Sequence, residues 1–221
     1  MSSWLNSTFY NLDKTIFIAM NSLDKTAGGF LTPFLKFVSF FGEGGICLII
    51  LSVILMLFKG TRKTGASMLL AIGVGALFTN VIIKNAVARP RPFYADPLYL
   101  EFWKDAGATA VSEYSFPSGH TTVAMTSMTA LFLSTDKKKS WTAFIFVVLT
   151  AFSRVFLIVH YFTDIIGGLI IGGISGVIGY YLAKLIFGAF VKHKDKKACK
   201  YILESDIRNL QKHKGLREDE R

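Results

Sequence analysis

Long uncharged runs, rather than the one-sided periodicity of a soluble helical domain, dominate this chain. Residues 65–83 and 140–159 each approach the ~20 residues that cross a bilayer, and 165–191 exceeds that length. Residues 119–135 fall slightly short, residues 44–58 are short but uncharged, and 27–41 are interrupted by Pro33 and Lys36. Basic clusters separate the runs: Lys59, Arg62 and Lys63, then Lys137, Lys138 and Lys139, then Lys192, Lys194, Lys196, Lys197 and Lys200. Placing all three in the cytoplasm, as positive-inside bias requires, counts both weak runs as spans. The pattern thus predicts an all-α integral membrane protein with six transmembrane helices, at about 27–43, 44–58, 65–84, 119–135, 140–159 and 164–191, and both termini cytoplasmic.

Residues 8–23 are too short and too polar to span and predict an interfacial amphipathic helix. Residues 1–191 then form the membrane-embedded domain and 192–221 a basic cytoplasmic tail, in which Ile202, Leu203, Ile207 and Leu210 recur at helical spacing. Gly168, Gly172 and Gly176 fall four apart on the last span and predict close helix packing.

Composition agrees with this pattern. A hydrophobic share of 52% and a mean hydropathy of +0.44 exclude an ordinary soluble domain. The net charge of +10 would suit nucleic acid, but it sits in loop clusters instead of on one face, so no nucleic-acid partner is expected. Cys47 and Cys199 cannot form a disulfide framework. The N-terminus has no basic stretch ahead of an apolar one, so no cleaved signal peptide is expected.

Some cations contradict the positive-inside pattern. Lys84, Arg89 and Arg91 fall at the outer end of one span, and Arg154 and His160 at the outer end of another. One such arginine could snorkel to a headgroup, but a group of them at the membrane edge points to function. Pro90 and Pro92 stop the helix after Lys84 and turn Arg91 back, so the two cations converge from different elements. In Pro117-Ser118-Gly119-His120, Ser118 is a candidate N-cap, which leaves the N–H groups of Gly119 and His120 to face an anion. His160 and Asp164, four apart, would share one helix face, with the carboxylate on Nδ1–H and Nε2 left free; Arg154 would close the site. Of four histidines, only His120 and His160 lie in the membrane body; His193 and His213 are in the tail.

These three stretches resemble, in order and spacing, the K-x6-RP, PSGH and SR-x5-H-x3-D signature of the type 2 phosphatidic acid phosphatase superfamily. With PSGH at the second stretch, the chain is more similar to the phosphatidylglycerophosphatase B branch than to undecaprenyl pyrophosphate phosphatases of the bacitracin-resistance type. The resemblance implies a compact six-span phosphatase of the bacterial plasma membrane with its site at the outer face. It implies a phosphohistidine mechanism with His160 as nucleophile, Asp164 orienting it, and His120 as general acid and then base. Lys84, Arg91, Ser118, Gly119 and Arg154 would bind the phosphate. Arg89, outside the signature, would meet only lipid headgroups.

The implied substrate is phosphatidylglycerophosphate, with phosphatidic acid as a second; undecaprenyl pyrophosphate is the alternative, and a phospholipid or polyprenyl phosphate is the partner either way. No cofactor is expected. His120, His160 and Asp164 could form a metal-ligand set, yet three converging cations would repel a divalent ion and already supply its electrophilic role. A transporter would need broken helices and repeated halves, and the sequence shows neither. Between Phe93 and Phe116 the outer loop mixes aromatics with acids, which fits either an interfacial belt or a lid.

Overall fold

The computed structural model describes residues 1–27, 29–109 and 114–209, and these are helical with no strand. The N-terminal helices α1 (Ser2–Thr8) and α2 (Tyr10–Thr26) are followed by α3 (Leu31–Gly42) and α4 (Ile46–Leu57). Helix α5 (Arg62–Ala76) runs on through a π-helical stretch, Leu77–Ile83, and one more turn, Lys84–Val87. After α6 (Pro97–Asp105) come α7 (Gly119–Ser134), α8 (Ala143–Phe156), α9 (Phe162–Lys192) and the tail helix α10 (Lys197–Glu204).

Four stretches are long and apolar enough to cross a membrane: Leu31–Leu57, Arg62–Ala95, Lys137–Phe156 and Phe162–Lys192. The runs expected as two spans, 27–43 and 44–58, are therefore joined in one. Helices α3 and α4 have 12 residues each, about 18 Å at 1.5 Å per residue, and neither alone reaches across a ~30 Å hydrocarbon core. Between them Gly44 (φ 59°) and Gly45 (φ 71°) take left-handed conformations, which only glycine adopts freely. The direction of travel is unchanged across the break. Leu35 packs with Phe93, Ala106 and Phe156, Gly42 lies against His120 and Thr150, Gly45 against Val123, and Leu48 joins Met68, Ala124 and Met128. The absence of broken helices, expected from the sequence, does not hold.

Helices α5, α7 and α9 form the centre of the bundle, and their contact depends on glycine. A Cβ at Gly172 would stand 2.7 Å from the Thr122 carbonyl oxygen and 2.7 Å from Met125 Cβ. One at Gly168 would stand 2.9 Å from the Ser118 carbonyl oxygen. The glycine stripe thus places the start of α7 against the start of α9, and with them the second and third signature stretches.

The N-terminal helices lie at the same end as the loop after α5. Asp13 and Phe17 are buried, and Phe17 packs edge-on against Tyr99 with centroids 4.8 Å apart. Tyr10, Leu12, Ile18 and Leu23 of α2 remain exposed. At the opposite end Arg62 donates to the carbonyls of Ile202 (2.5 Å) and Ser205 (2.6 Å), and the Lys59 N–H donates to Asp206 (3.1 Å). The tail helix ends at Glu204, Ile207 follows its break, and Leu210 lies outside the described residues.

Because the methyl of Gly172→Ala would meet backbone, this variant is expected to lose about 1–3 kcal/mol, typical of overpacking. Gly73→Ala, whose Cβ meets nothing within 4 Å, should melt as wild type does. Paired thermal melts in one detergent check this; equal midpoints would contradict the packing argument.

Candidate active site

Local backbone geometry explains the spacing within each stretch. Lys84 lies on the last turn of α5, and Ala88 (φ 48°) ends the helix in the left-handed region. Arg91 is extended and Pro92 begins a short helical turn, so both cations face back toward the bundle. In the third stretch Ile158 is left-handed (φ 56°) and buried, a costly conformation for a β-branched residue. The carbonyl of Arg154 holds the turn closed by accepting from the N–H groups of Val159 (3.2 Å) and His160 (3.3 Å). Five residues between Arg154 and His160 are what this closed turn requires.

His160 and Asp164 do not share the helix face that their spacing led one to expect. His160 precedes α9, and Asp164 is the N3 residue of its capping box, accepting the Tyr161 N–H at 3.0 Å. The carboxylate is thereby fixed beneath the ring, with its Oδ2 3.4 Å from His160 Nδ1. On the other side of the ring, Arg91 Nη1 is 3.1 Å from His160 Nε2 and also donates to the Val159 carbonyl at 2.9 Å. An arginine N–H can only donate. Nε2 therefore carries the lone pair and Nδ1 the proton, which is the tautomer a nucleophile at Nε2 needs. Burial, opposed by the Asp164 hydrogen bond and reinforced by Arg91 and Arg154, pushes the His160 pKa down to about 3. The ring is neutral at physiological pH.

Lys84, Arg91, Gly119, His120, Arg154 and His160 all line one cavity of about 500 Å³. Lys36 and Ser39 of α3 and Glu43 just after it complete the wall, and Arg154 Nη1 donates to the Ser39 hydroxyl. The broken helix thus forms part of the site. Two expected residues lie behind the cavity. Asp164 sits beneath the His160 ring, and Ser118 serves as the N-cap of α7, accepting from Thr121 N at 3.5 Å and Thr121 Oγ1 at 3.1 Å. The Ser118 hydroxyl thereby supports the helix start. The Arg91 guanidinium beside His160 Nε2 is the wrong partner for a metal, which it would repel. Among the described residues no three His, Cys, Asp or Glu side chains cluster as a ligand set.

The profile of the PAP2 superfamily matches residues 64–187, more than half the chain. The chain belongs to the PAP2 superfamily. It is 30% identical over 143 residues to an undecaprenyl-diphosphatase of Sulfolobus acidocaldarius, a match covering 64% of this chain and 66% of that protein. It is 37% identical over 123 residues to phosphatidylglycerophosphatase B of Bacillus subtilis, covering 50% of this chain and 55% of the relative. In both cases it spans less than two thirds of the relative's length. The crystal structure of Aquifex aeolicus LpxE shares the fold, with a TM-score of 0.63 and 24% identity over 76% of this chain and 94% of that one.

Outside the PAP2 signature the structure assigns contacts to residues that the sequence left without a role. Arg89 does not face lipid headgroups: it is 0% exposed, with Nη1 donating to Asp164 Oδ1 at 2.7 Å and Thr163 Oγ1 at 2.6 Å. The Ser115 hydroxyl donates to Asp164 Oδ2 at 2.5 Å, and the Ser115 N–H donates to the Arg89 carbonyl at 2.8 Å. No local signal distinguishes Ser115 from other loop serines. For Arg89 there was one: a third cation at a membrane face that should carry few.

Gly119 tests the anion cradle without disturbing the fold. A Cβ there would stand 3.9 Å from both Lys84 Nζ and Asn80 Oδ1, ordinary contact. It would also occupy the space between Lys84 and the N-terminus of α7. Gly119→Ala should therefore melt as wild type does but bind tungstate, a phosphate-shaped oxyanion, about tenfold more weakly, on the order of 1.4 kcal/mol, because its methyl crowds the oxyanion while the N–H donor is kept. Unchanged tungstate affinity by calorimetry would remove Gly119 from the site.

Proposed function

We propose that this protein is a lipid phosphatase that removes a terminal phosphate through a phosphohistidine on His160. The observation that carries the reading is the His160 ring held between Asp164 at Nδ1 and Arg91 at Nε2, inside a cavity shared with Lys84, Arg154 and His120. A phosphate entering that cavity takes the hydrogen bonds of Arg91, Lys84 and Arg154 and the N–H groups at the start of α7. Nε2 then attacks phosphorus. The P–O bond to the lipid breaks as protonated His120 gives its proton to the leaving oxygen. The phosphorylated ring is cationic, and Asp164 balances it. In the second step neutral His120 takes a proton from water, water oxygen bonds to phosphorus, the P–N bond breaks, and inorganic phosphate leaves. Fixed cations supply the charge stabilisation, so the reaction is metal-independent.

For the substrate, phosphatidylglycerophosphate is the favoured reading, with phosphatidic acid also used. The PSGH form of the second stretch supports it, as does the likeness to a phosphatidylglycerophosphatase. Undecaprenyl pyrophosphate is the second reading, supported by the likeness to an undecaprenyl-diphosphatase. In a transporter the same cavity would bind phosphate without forming a covalent bond.

The site end faces outward, because the basic clusters at 59–63, 137–139 and 192–200 all lie at the opposite end. Joining residues 31–57 into one crossing gives five crossings in place of six and moves the N-terminus to the outer face. The packing of α2 against the loop after α5 supports this. In a functional background lacking Cys47 and Cys199, cysteines at Ser3 and Asp105 should label from outside and one at Lys138 from inside. Labelling of Ser3 from the same side as Lys138 would restore the six-span topology.

The chemistry is tested by rapid-quench single turnover in EDTA with phosphatidylglycerophosphate and undecaprenyl pyrophosphate. His160→Ala should form no phosphoenzyme with either. His120→Ala should slow the first step ~10²–10⁴-fold for the monoester, whose alkoxide needs a proton, and only mildly for the pyrophosphate. Its phosphoenzyme should then accumulate. Equal slowing for both substrates, label on His120, or loss of wild-type turnover in EDTA with recovery on adding metal would each overturn the mechanism.

A further inference from the structure

The fully buried Arg89 guanidinium bridges two carboxylates on different elements. It donates from Nη1 to Asp164 Oδ1 at 2.7 Å and lies 3.3 Å by Nη2 from Asp13 Oδ2, with both carboxylates at most 2% exposed. Its Nε donates to Asn6 Oδ1 at 2.8 Å, and its plane sits 3.6 Å from the Tyr161 ring centroid. A guanidinium can hold two carboxylates in one plane because its donors form a rigid fork. A hydrogen bond to Asp13 orients the same group that orients Asp164, and Asp164 orients His160. We infer that Arg89 and Asp13 are positioning residues of the reaction, so that the N-terminal helix α2 sets the geometry and charge behind the His160 nucleophile from the outer face.

The charge count gives this arrangement its consequence. With both carboxylates ionised, the Asp13–Arg89–Asp164 group carries one net negative charge, which matches the positive charge that develops on the His160 ring as Nε2 bonds to phosphorus. With Asp13 protonated, the group is neutral and that match is lost. Asp13 is placed to change state. Burial raises its pKa to about 6, opposed by Arg89 and reinforced by Asp164. A second cavity of about 100 Å³, lined by Asn6, Tyr10, Asp13, Asp96, Tyr99 and Tyr161, reaches it. Asp13 Oδ1 and the Tyr99 and Tyr161 hydroxyls have no hydrogen-bond partner among the described residues. Such a polar space is wide enough for water, and so for proton exchange. The titratable and charged groups facing Asp13 are Arg89, Asp164, Tyr99 and Tyr161, with Tyr10 and Asp96 at the cavity wall.

The inference rests on the phosphatase reading above, and one experiment separates the two. The full chain in detergent is assayed for phosphate release from phosphatidylglycerophosphate between about pH 5 and 8, for wild type, Asp13→Asn, Asp13→Glu, Arg89→Lys and His160→Ala. Wild-type kcat should fall as pH drops through about 6, because protonation of Asp13 removes its charge. A limb that came from His120, which the mechanism cycles between its protonated and neutral forms, would persist in Asp13→Asn. Asp13→Asn should lose the limb and show a kcat about tenfold below wild type at the upper end, the scale of one lost charge near the reacting centre, with KM unchanged. Asp13→Glu should keep the limb and recover most of kcat. In Arg89→Lys a point-like ammonium cannot hold both carboxylates, and kcat should fall about 100-fold, as for a misplaced catalytic group. Wild-type kcat and pH profile in Asp13→Asn would overturn the inference. So would equal losses of kcat, KM and melting temperature in Asp13→Asn and Asp13→Glu, the pattern of a merely structural strap. If Asp13→Asn does not fold, Asp13→Glu decides: normal kcat without the acid limb overturns the inference. Full activity in His160→Ala would instead overturn the phosphohistidine mechanism, and absence of phosphate release by wild type would overturn the phosphatase reading itself.

Discussion

A carboxylate with no exposure to solvent stands at the centre of this molecule, and its need for partners organises what surrounds it. Asp164 accepts from Arg89, Ser115 and the Tyr161 N–H and faces His160 Nδ1. A buried charge is tolerated only when it is paired and hydrogen-bonded. Each of those partners comes from a different stretch: the loop after α5, the segment before α7, and the turn before α9. Satisfying one charge therefore fixes three loops against each other. The capping box that begins α9 belongs to the same set of bonds, so the helix start and the geometry around His160 depend on each other.

The bundle beneath supplies the rigidity that this arrangement needs. Glycines on α9 let α7 approach until backbone meets backbone, and this contact carries Ser118 and Gly119 to within reach of the His160 turn. On the opposite wall the chain breaks at Gly44 and Gly45 instead of continuing as a regular helix. Ahead of the break Ser39 meets Arg154 and Lys36 lines the cavity, and Glu43, at the break, lines it as well. Strain is concentrated at Ile158, in the turn that sets the height of His160.

Much of this was legible in the residues. The uncharged runs and the basic clusters between them identified a helical membrane protein, since few other structures satisfy backbone hydrogen bonds in lipid. The three signature stretches brought Lys84, Arg91, Gly119, His120, Arg154 and His160 to one cavity, because proline stops, a cap and short turns are encoded locally. The spacing of His160 and Asp164 also pointed to a real contact, though through an N3 cap and not a shared helix face. At residues 27–58 the sequence read two short apolar halves as two spans, whereas the structure runs Leu31–Leu57 as a single stretch long and apolar enough to cross.

Sequence alone thus determined the class of fold, which side chains line the cavity and the helix contact that glycine permits, all of which depend on neighbours within a few residues or on one repeated spacing. Tertiary structure decided which polar residues stand behind the site. Asp13 and Arg89 are 76 residues apart, and Arg89 and Asp164 are 75 apart; nothing in either neighbourhood records the other. A buried ion pair is a matter of which charges remain without water once the chain has folded, and that is settled by packing over the whole molecule.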